Sequence, residues 1–182
     1  AADAGEVERA IEHVQAALEI YRTLQDQNGE AMALTNLANL QQAQGDWTAA
    51  KAVYMAALTI YEEQDNIHGE AQVMGNLGLL GLNQGEPETA IAYFRRDLTL
   101  AIETGNLHSQ AETLNNLAIA YRRLGRIADA LVSYEGSLTL KRELRDRHGE
   151  LLTLINLCRL HATQGNIAAF EEAWMEALSV AQ

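Results

Sequence analysis

Four asparagines stand forty residues apart, Asn36, Asn76, Asn116 and Asn156, each followed by a leucine and each nine residues ahead of a glycine, Gly45, Gly85, Gly125 and Gly165. A register kept four times in 182 residues makes the chain an array of one repeated unit, because chance seldom holds amide, leucine and glycine in phase. In such arrays each copy packs mainly on its neighbours, so function lies in the surface that the copies build together. The class of function this implies is binding.

Laid on itself at that spacing, the sequence aligns Gly29, Gly69 and Gly149 with Ser109, followed by Glu30, Glu70, Glu150 and Gln110. A glycine at this point is expected to close the preceding helix in a left-handed conformation, and the acid or amide after it suits the positive first turn of the next helix. A second break falls at Gly45, Gly85, Gly125 and Gly165, so each unit is two helices. Helix A is expected over 30–44, 70–84, 110–124 and 150–164, and helix B over 47–64, 87–104, 127–145 and 167–181. Pro87 opens one B helix, where a missing backbone donor costs least. A B-type helix near 7–25 comes first, without an A partner before it. The expected layout is a single array over 1–182: a half repeat at 5–28, then repeats at 29–68, 69–108, 109–148 and 149–182, as part of a longer array.

Apolar residues recur at helical spacing in both helices. Helix A carries Leu34, Leu37, Ala38 and Leu40, repeated as Met74, Leu77, Gly78 and Leu80, as Leu114, Leu117, Ala118 and Ala120, and as Leu154, Leu157, Cys158 and Leu160. Helix B repeats Ala50, Tyr54 and Leu58 as Ala90, Phe94 and Leu98, as Ala130, Tyr134 and Leu138, and as Phe170, Trp174 and Leu178. Small residues let two helices approach while the ring fills the space beyond them. No single pair can bury both of its faces, so neighbouring pairs must supply the rest of the core.

This pattern resembles the tetratricopeptide repeat, whose signature runs from a large residue to leucine and a small residue, a ring, and then alanine and an aromatic. The third unit matches it best, with Leu114, Leu117, Ala118, Tyr121, Ala130 and Tyr134. The other units depart from it: Gln41, Gly81 and His161 replace the ring, Cys158 the small residue and Phe170 the alanine. The closing proline is absent, and the unit has forty residues instead of the family's usual thirty-four or so. It is similar to the longer-helix variety of kinesin light chain, the spindle-orientation adaptors and bacterial signalling regulators. The resemblance implies an all-α, right-handed superhelix of about nine antiparallel helices. It also implies a protein-interaction scaffold that takes an extended peptide or a partner helix in a concave groove.

Composition narrows the partner. The chain is 48% hydrophobic with one proline, which suits an all-helical fold with a sizeable core. It has no apolar run near the length of about eighteen residues that spans a bilayer, and no basic-then-apolar leader, so neither membrane nor export is expected. One cysteine, Cys158, rules out an internal disulfide and fits a cytoplasmic setting. A net charge of -12 argues against nucleic acid, whose binders present basic faces. The charge is uneven: residues 1–91 hold fourteen acids and three bases, and residues 92–182 eleven acids and ten bases.

Asparagine is a mediocre helix former, so four copies in register inside helices ask for a reason. At about 100° per residue, Asn36 lies on the side of helix A opposite Leu34, Leu37 and Ala38, together with Met32 and Asn39. The resemblance makes that side the groove wall, where an amide can pair with a peptide backbone of any sequence. The alternative is that the amides bond one another or a neighbouring helix and set the repeat spacing; both can hold. The candidate groove residues are Asn36 and Asn39, then Asn76, Leu79 and Asn83, then Asn115, Asn116, Ile119, Arg122 and Arg123, and finally Asn156 and Arg159. Thr35 and Gln42, Leu82, and Glu112 are expected beside them. A polar stretch, an apolar patch and a basic zone suit a peptide with apolar anchors and an acidic portion.

No metal or other cofactor is expected. His68, His108 and His148 share one phase of the repeat, which sets successive copies on the order of 20 Å apart, too far to share an ion. No phosphate loop, nucleophile elbow or paired-carboxylate site is present, and Glu62, Glu63, Glu171 and Glu172 fall on solvent faces, so no enzyme is expected. Val7, Ile11, Val14, Leu18 and Ile20 in the first helix, and Phe170, Trp174, Leu178 and Val180 in the last, leave apolar ends expected to self-associate. A second reading is a ligand-sensing segment of a larger bacterial signalling or transcription-regulator protein.

Overall fold

A computed structural model of the chain describes residues 4–181. Among the described residues there are nine α-helices and no strand: α1 (Ala4–Leu24), α2 (Gln27–Gln44), α3 (Trp47–Glu63), α4 (Ile67–Gln84), α5 (Pro87–Glu103), α6 (Leu107–Arg123), α7 (Ile127–Glu143), α8 (Arg147–Thr163) and α9 (Ile167–Ala181). They group into two compact units, one reaching to Glu86 and the other starting at Pro87. Within each unit, every helix packs on the next, and in the first unit α2 also packs on α4, its equivalent one repeat later. Within each unit, successive helices joined by turns of two or three residues run antiparallel.

Gly45, Gly85, Gly125 and Gly165 follow the A helices with φ of 83°, 76°, 71° and 65°, the left-handed conformation that glycine adopts without a Cβ penalty. The other break works differently from the expectation drawn from sequence. Gly29, Gly69 and Gly149 do not end helices; they are the third residues of α2, α4 and α8. The left-handed residues that end the B helices are Gln25, Asp65, Gly105 and Arg145. Helix A therefore starts three residues earlier than expected, at an N-cap formed by Asp26, Asn66, Asn106 or Asp146, whose side-chain oxygen accepts from the backbone N–H of Gly29, Gly69, Ser109 or Gly149.

Crowding explains the glycines. A Cβ at Gly29 would run into the Tyr21 ring, one at Gly69 into Tyr61, and one at Gly149 into the Asp146 carboxylate and the Lys141 stem. Position 101, in register with those rings, is alanine, and there the third unit carries Ser109 where the others need glycine. The N-cap thus fixes the turn, and the ring beneath it decides what the third helical residue can be.

The core is the stripe expected from the repeat. Leu37, Leu77, Leu117 and Leu157 are buried, as are Ala50, Ala90 and Ala130 with the rings of Tyr54, Phe94 and Tyr134 beside them. Each such large side chain taken out of water contributes about 1.5–3 kcal/mol. Cys158 is buried within this stripe, and burial pushes its thiol pKa up, as expected of a small core residue and not of a nucleophile.

Candidate functional site

In the first unit the candidate residues gather on α2 and α4. Asn36, Asn39, Leu79 and Asn83 are exposed and Asn76 is half-buried. Asn39 is the hub: its Oδ1 accepts from Asn76 Nδ2 at 3.3 Å and from the Tyr54 hydroxyl of α3. Tyr54 also donates to Gln42 Oε1 at 3.1 Å, and burial pushes its pKa up to about 12. Both lone pairs of Asn39 Oδ1 are therefore used within the chain. Asn36 makes no such bond; it borders a shallow hollow of about 200 Å³ with Met32, Thr35, Tyr61 and Gln72.

Two residues expected on the open face are drawn inward. Thr35 is buried and donates to the Ala31 carbonyl one turn back, at 2.9 Å. Leu82 is buried in the core, 4% exposed, at a position that a plain helical wheel leaves open. Asn39 and Gln42, set by the wheel on the far side of helix A, instead reach the ring of helix B.

The second unit places Asn115, Asn116, Ile119 and Arg122 on α6, half-buried, with Arg123 exposed at its end; on α8, Asn156 is half-buried and Arg159 exposed. Asn156 Nδ2 donates to Asn115 Oδ1 at 3.2 Å. In each unit, then, a ladder asparagine of the later A helix ties back to an asparagine of the earlier one, but the partners are Asn39 and Asn115, not Asn36 and Asn116. Glu112, grouped with the open face by its sequence position, is held by Lys141 Nζ at 3.0 Å.

Charges near this face divide into paired and unpaired. Arg126 binds Asp129 at 2.8 Å and lies 4.7 Å over the Tyr121 ring, and Arg95 donates to the Tyr121 hydroxyl at 3.0 Å. Among the described residues, Arg122 and Arg159 pair with no acid. Both stand near the hydroxyl of Tyr134, on α7. Burial raises that phenol's pKa, and the approach of an Arg122 N–H to its oxygen, then the charges of Arg122 and Arg159, offset part of the rise. Sequence reasoning counted Tyr134 as core only, since its spacing shows the ring's burial and not the surroundings of its oxygen.

Elsewhere, His68, His108 and His148 are exposed in the first turns of α4, α6 and α8, and Glu62, Glu63, Glu171 and Glu172 face solvent. On α9 the Phe170 and Trp174 rings stack at 6.3 Å, and Trp174, Met175 and Leu178 remain open. Among the described residues, no helix is long and apolar enough to cross a membrane.

The tetratricopeptide repeat family model matches residues 1–63, 29–103, 69–143 and 109–182, which together cover the whole sequence. The chain belongs to the tetratricopeptide repeat family. No curated protein matches it. Among solved structures it is similar to BtubC (BKLC) from P. vanneervenii, at 21% identity and TM-score 0.85, over 96% of this chain and 73% of that one. It is also similar to a kinesin light chain-type protein of Podosopora anserina with nearly identical repeats, at 18% identity and TM-score 0.80, over 97% and 87%. A third likeness is to a Rap protein complexed with Competence and Sporulation Factor, at 16% identity and TM-score 0.81, over 97% of this chain and 50% of that one. These likenesses establish the tetratricopeptide solenoid fold, which generally serves as a protein-interaction scaffold.

Proposed function

We propose that this tetratricopeptide array is a non-catalytic scaffold that holds an extended peptide or a partner helix against its A helices. The face on α2 and α4 offers Asn36, Asn39, Asn76, Leu79 and Asn83; that on α6 and α8 offers Asn115, Asn116, Ile119, Arg122, Arg123, Asn156 and Arg159. The observation that carries this reading is that Asn36 and Asn116 sit mid-helix and, among the described residues, spend their side-chain amides on no hydrogen bond. An amide that caps nothing and joins nothing is a cost to its helix, and a peptide backbone supplies the donor and acceptor that would repay it. Exposed Leu79 suits an apolar anchor, and Arg122 and Arg159 suit an acidic portion of the ligand. The net charge of -12 disfavours nucleic acid as partner, and the buried thiol of Cys158 suits a cytoplasmic setting.

Peptides selected from a random display library on the intact chain provide the test. Replacing Asn36 and Asn116 together by Ala should weaken their binding by about 1–3 kcal/mol in calorimetry, from lost bonds and stranded peptide groups. The helical signal should not change. Unaltered affinity in the folded double variant overturns the reading.

The likeness to a Rap protein solved with a bound factor favours a second reading, a ligand-sensing regulatory segment of a larger signalling protein. Helix movement on ligand binding, measured by distance labels on α6 and α8, distinguishes it from a passive scaffold.

A further inference from the structure

The hollow beside Asn36 joins three helices of the first unit. Met32, Thr35 and Asn36 come from α2, Tyr61 from α3 and Gln72 from α4, around about 200 Å³ of space. Its shape starts from a glycine. A Cβ at Gly69 would strike carbons of the Tyr61 ring, so the bare third residue of α4 lets that ring lie against the helix, 3% exposed. The hydroxyl takes no part in this contact. Among the described residues it makes no hydrogen bond. It is not one of the enclosed side-chain atoms left without a partner, which are the oxygens of Gln41 and Tyr134, so solvent reaches it. The exposed side-chain amides of Asn36 and Gln72 make no hydrogen bond among the described residues either. Thr35 Oγ1 has given its proton to the Ala31 carbonyl and can only accept.

The second unit shows the same place filled by the chain itself. The five registers there are Glu112, Asn115, Asn116, Lys141 and Leu152. Lys141 Nζ meets Glu112 at 3.0 Å and Thr153 at 3.2 Å, and Asn115 Oδ1 accepts from Asn156. The first unit has Val73 where Thr153 stands and no charge at any of the five positions. A carboxylate or ammonium entering this hollow would lose water and find no opposite charge among the residues that line it. A purely apolar side chain would cover the phenol and leave it unpaired. A carboxamide carries an acceptor and two donors on one small plane and leaves neither side unanswered.

We propose that the hollow is a specificity pocket for a primary carboxamide, the side chain of a glutamine or asparagine. The Tyr61 hydroxyl donates to the entering amide oxygen, the side-chain oxygens of Asn36 and Gln72 accept its N–H bonds, and Met32 packs on the carbons that lead in. Asn36 keeps its own N–H donors for the backbone. The carrier is the peptide of the scaffold reading above, on which the inference rests in that respect. The second unit has no equivalent, since Lys141 and Glu112 already answer each other.

Acetamide, sodium acetate and methylammonium chloride, at equal ionic strength, test the pocket by titration onto the intact labelled chain. Acetamide alone should shift the Met32 methyl and Gln72 side-chain amide signals to saturation. Tyr61→Phe, which keeps the ring against Gly69, should weaken acetamide about fivefold through loss of one hydrogen bond. Gln72→Leu, a change at an exposed position, should weaken it similarly. Shifts without saturation, equal responses to the three probes, or unaltered affinity in both variants overturn the pocket. A display-selected peptide is then made with glutamine, glutamate or methionine at the residue whose nuclear Overhauser contacts place it nearest the Met32 methyl. The glutamine form should bind about fivefold tighter than the other two, and Tyr61→Phe should erase that margin. Equal binding of the three forms, or an equal loss for all three in Tyr61→Phe, overturns the pocket and leaves the scaffold reading standing. If acetamide saturates as expected but no peptide binds, the pocket stands and the scaffold reading falls.

Discussion

The unit that ends at Glu86 and the unit that starts at Pro87 share one helical frame and differ in what fills its less exposed polar positions. Where the first has Ala57, Tyr61 and Val73, the second has Asp97 and Ser137, then Lys141, then Thr113 and Thr153 at the same registers. Those polar groups are buried and answer one another: Thr113 Oγ1 donates to Asp97 Oδ2 at 2.7 Å, Ser137 Oγ to the Ala111 carbonyl at 2.7 Å, and Lys141 Nζ to Thr153 Oγ1 at 3.2 Å and Glu112. Net charge divides the same way, thirteen acids to three bases in the first unit and twelve to ten in the second. The repeat frame thus tolerates a buried polar group wherever a neighbour satisfies it, and the units acquire their separate characters at these positions.

The leucine layer is what the units have in common, so its removal should cost them alike. Leu77→Ala in the first and Leu117→Ala in the second each empty a site at most 3% exposed and should lower stability by about 2–5 kcal/mol. Chemical denaturation measures both. A normal loss at one and none at the other would break the claim of a shared frame.

Asp97 should make the second unit sensitive to pH where the first is not. Burial lifts its pKa from 3.8 to about 6, and the Thr113 hydrogen bond offsets only part of that rise. Below pH 3.8 the group is neutral folded or unfolded and costs nothing; as pH rises toward 6 the unfolded chain ionises first, and the folded state loses up to roughly 3 kcal/mol by linkage. Asp97→Asn keeps the shape and a hydrogen-bond acceptor for Thr113, so it should be more stable than the parent above pH 6 and lack this decline. Parallel stability profiles of parent and variant from pH 4 to pH 7 would remove Asp97 from the account.

The two tyrosines sharpen the contrast to one atom. Tyr54→Phe removes a donor to Asn39 and Gln42 and should destabilise by about 0.5–1.5 kcal/mol, whereas Tyr134→Phe removes a buried hydroxyl whose own proton meets no acceptor among the described residues and should be neutral or stabilising by about 1 kcal/mol. Thermal melts of the two variants give the signs directly. Equal signs would mean that the hydroxyl of Tyr134 is satisfied in the folded chain after all.

Sequence periodicity made most of this frame legible. The forty-residue register located the Gly45, Gly85, Gly125 and Gly165 breaks, the leucine stripe and the B helices because each follows from one residue's own preference. It misread Gly29, Gly69 and Gly149, since their reason lies in the rings and stems packed above them, at Tyr21, Tyr61 and Lys141. The signal that could have corrected this was present: an Asp or Asn three residues earlier, an N-cap in every unit. At the candidate site the wheel set the faces, but bonds such as Asn76 to Asn39 depend on distances between repeats, and the isolation of the Tyr134 oxygen depends on residues from three helices. A one-dimensional pattern records neither.

The smallest effect tests what the asparagine ladder does for the fold. Asn76 is tied to Asn39, while the Asn116 side chain has no hydrogen bond among the described residues, so the same substitution should act differently in the two units. Asn116→Ala replaces a mediocre helix former by the best one and gives up nothing, which should raise stability by about 0.5 kcal/mol. Asn76→Ala gains the same propensity but loses a half-exposed hydrogen bond of about 0.5–1 kcal/mol, so it should come out level or slightly lower. Denaturant midpoints measured side by side resolve differences of this size when the slopes agree. If Asn116→Ala instead costs as much as a lost core contact, the ladder holds the second unit together, and the peptide reading loses the observation on which it stands.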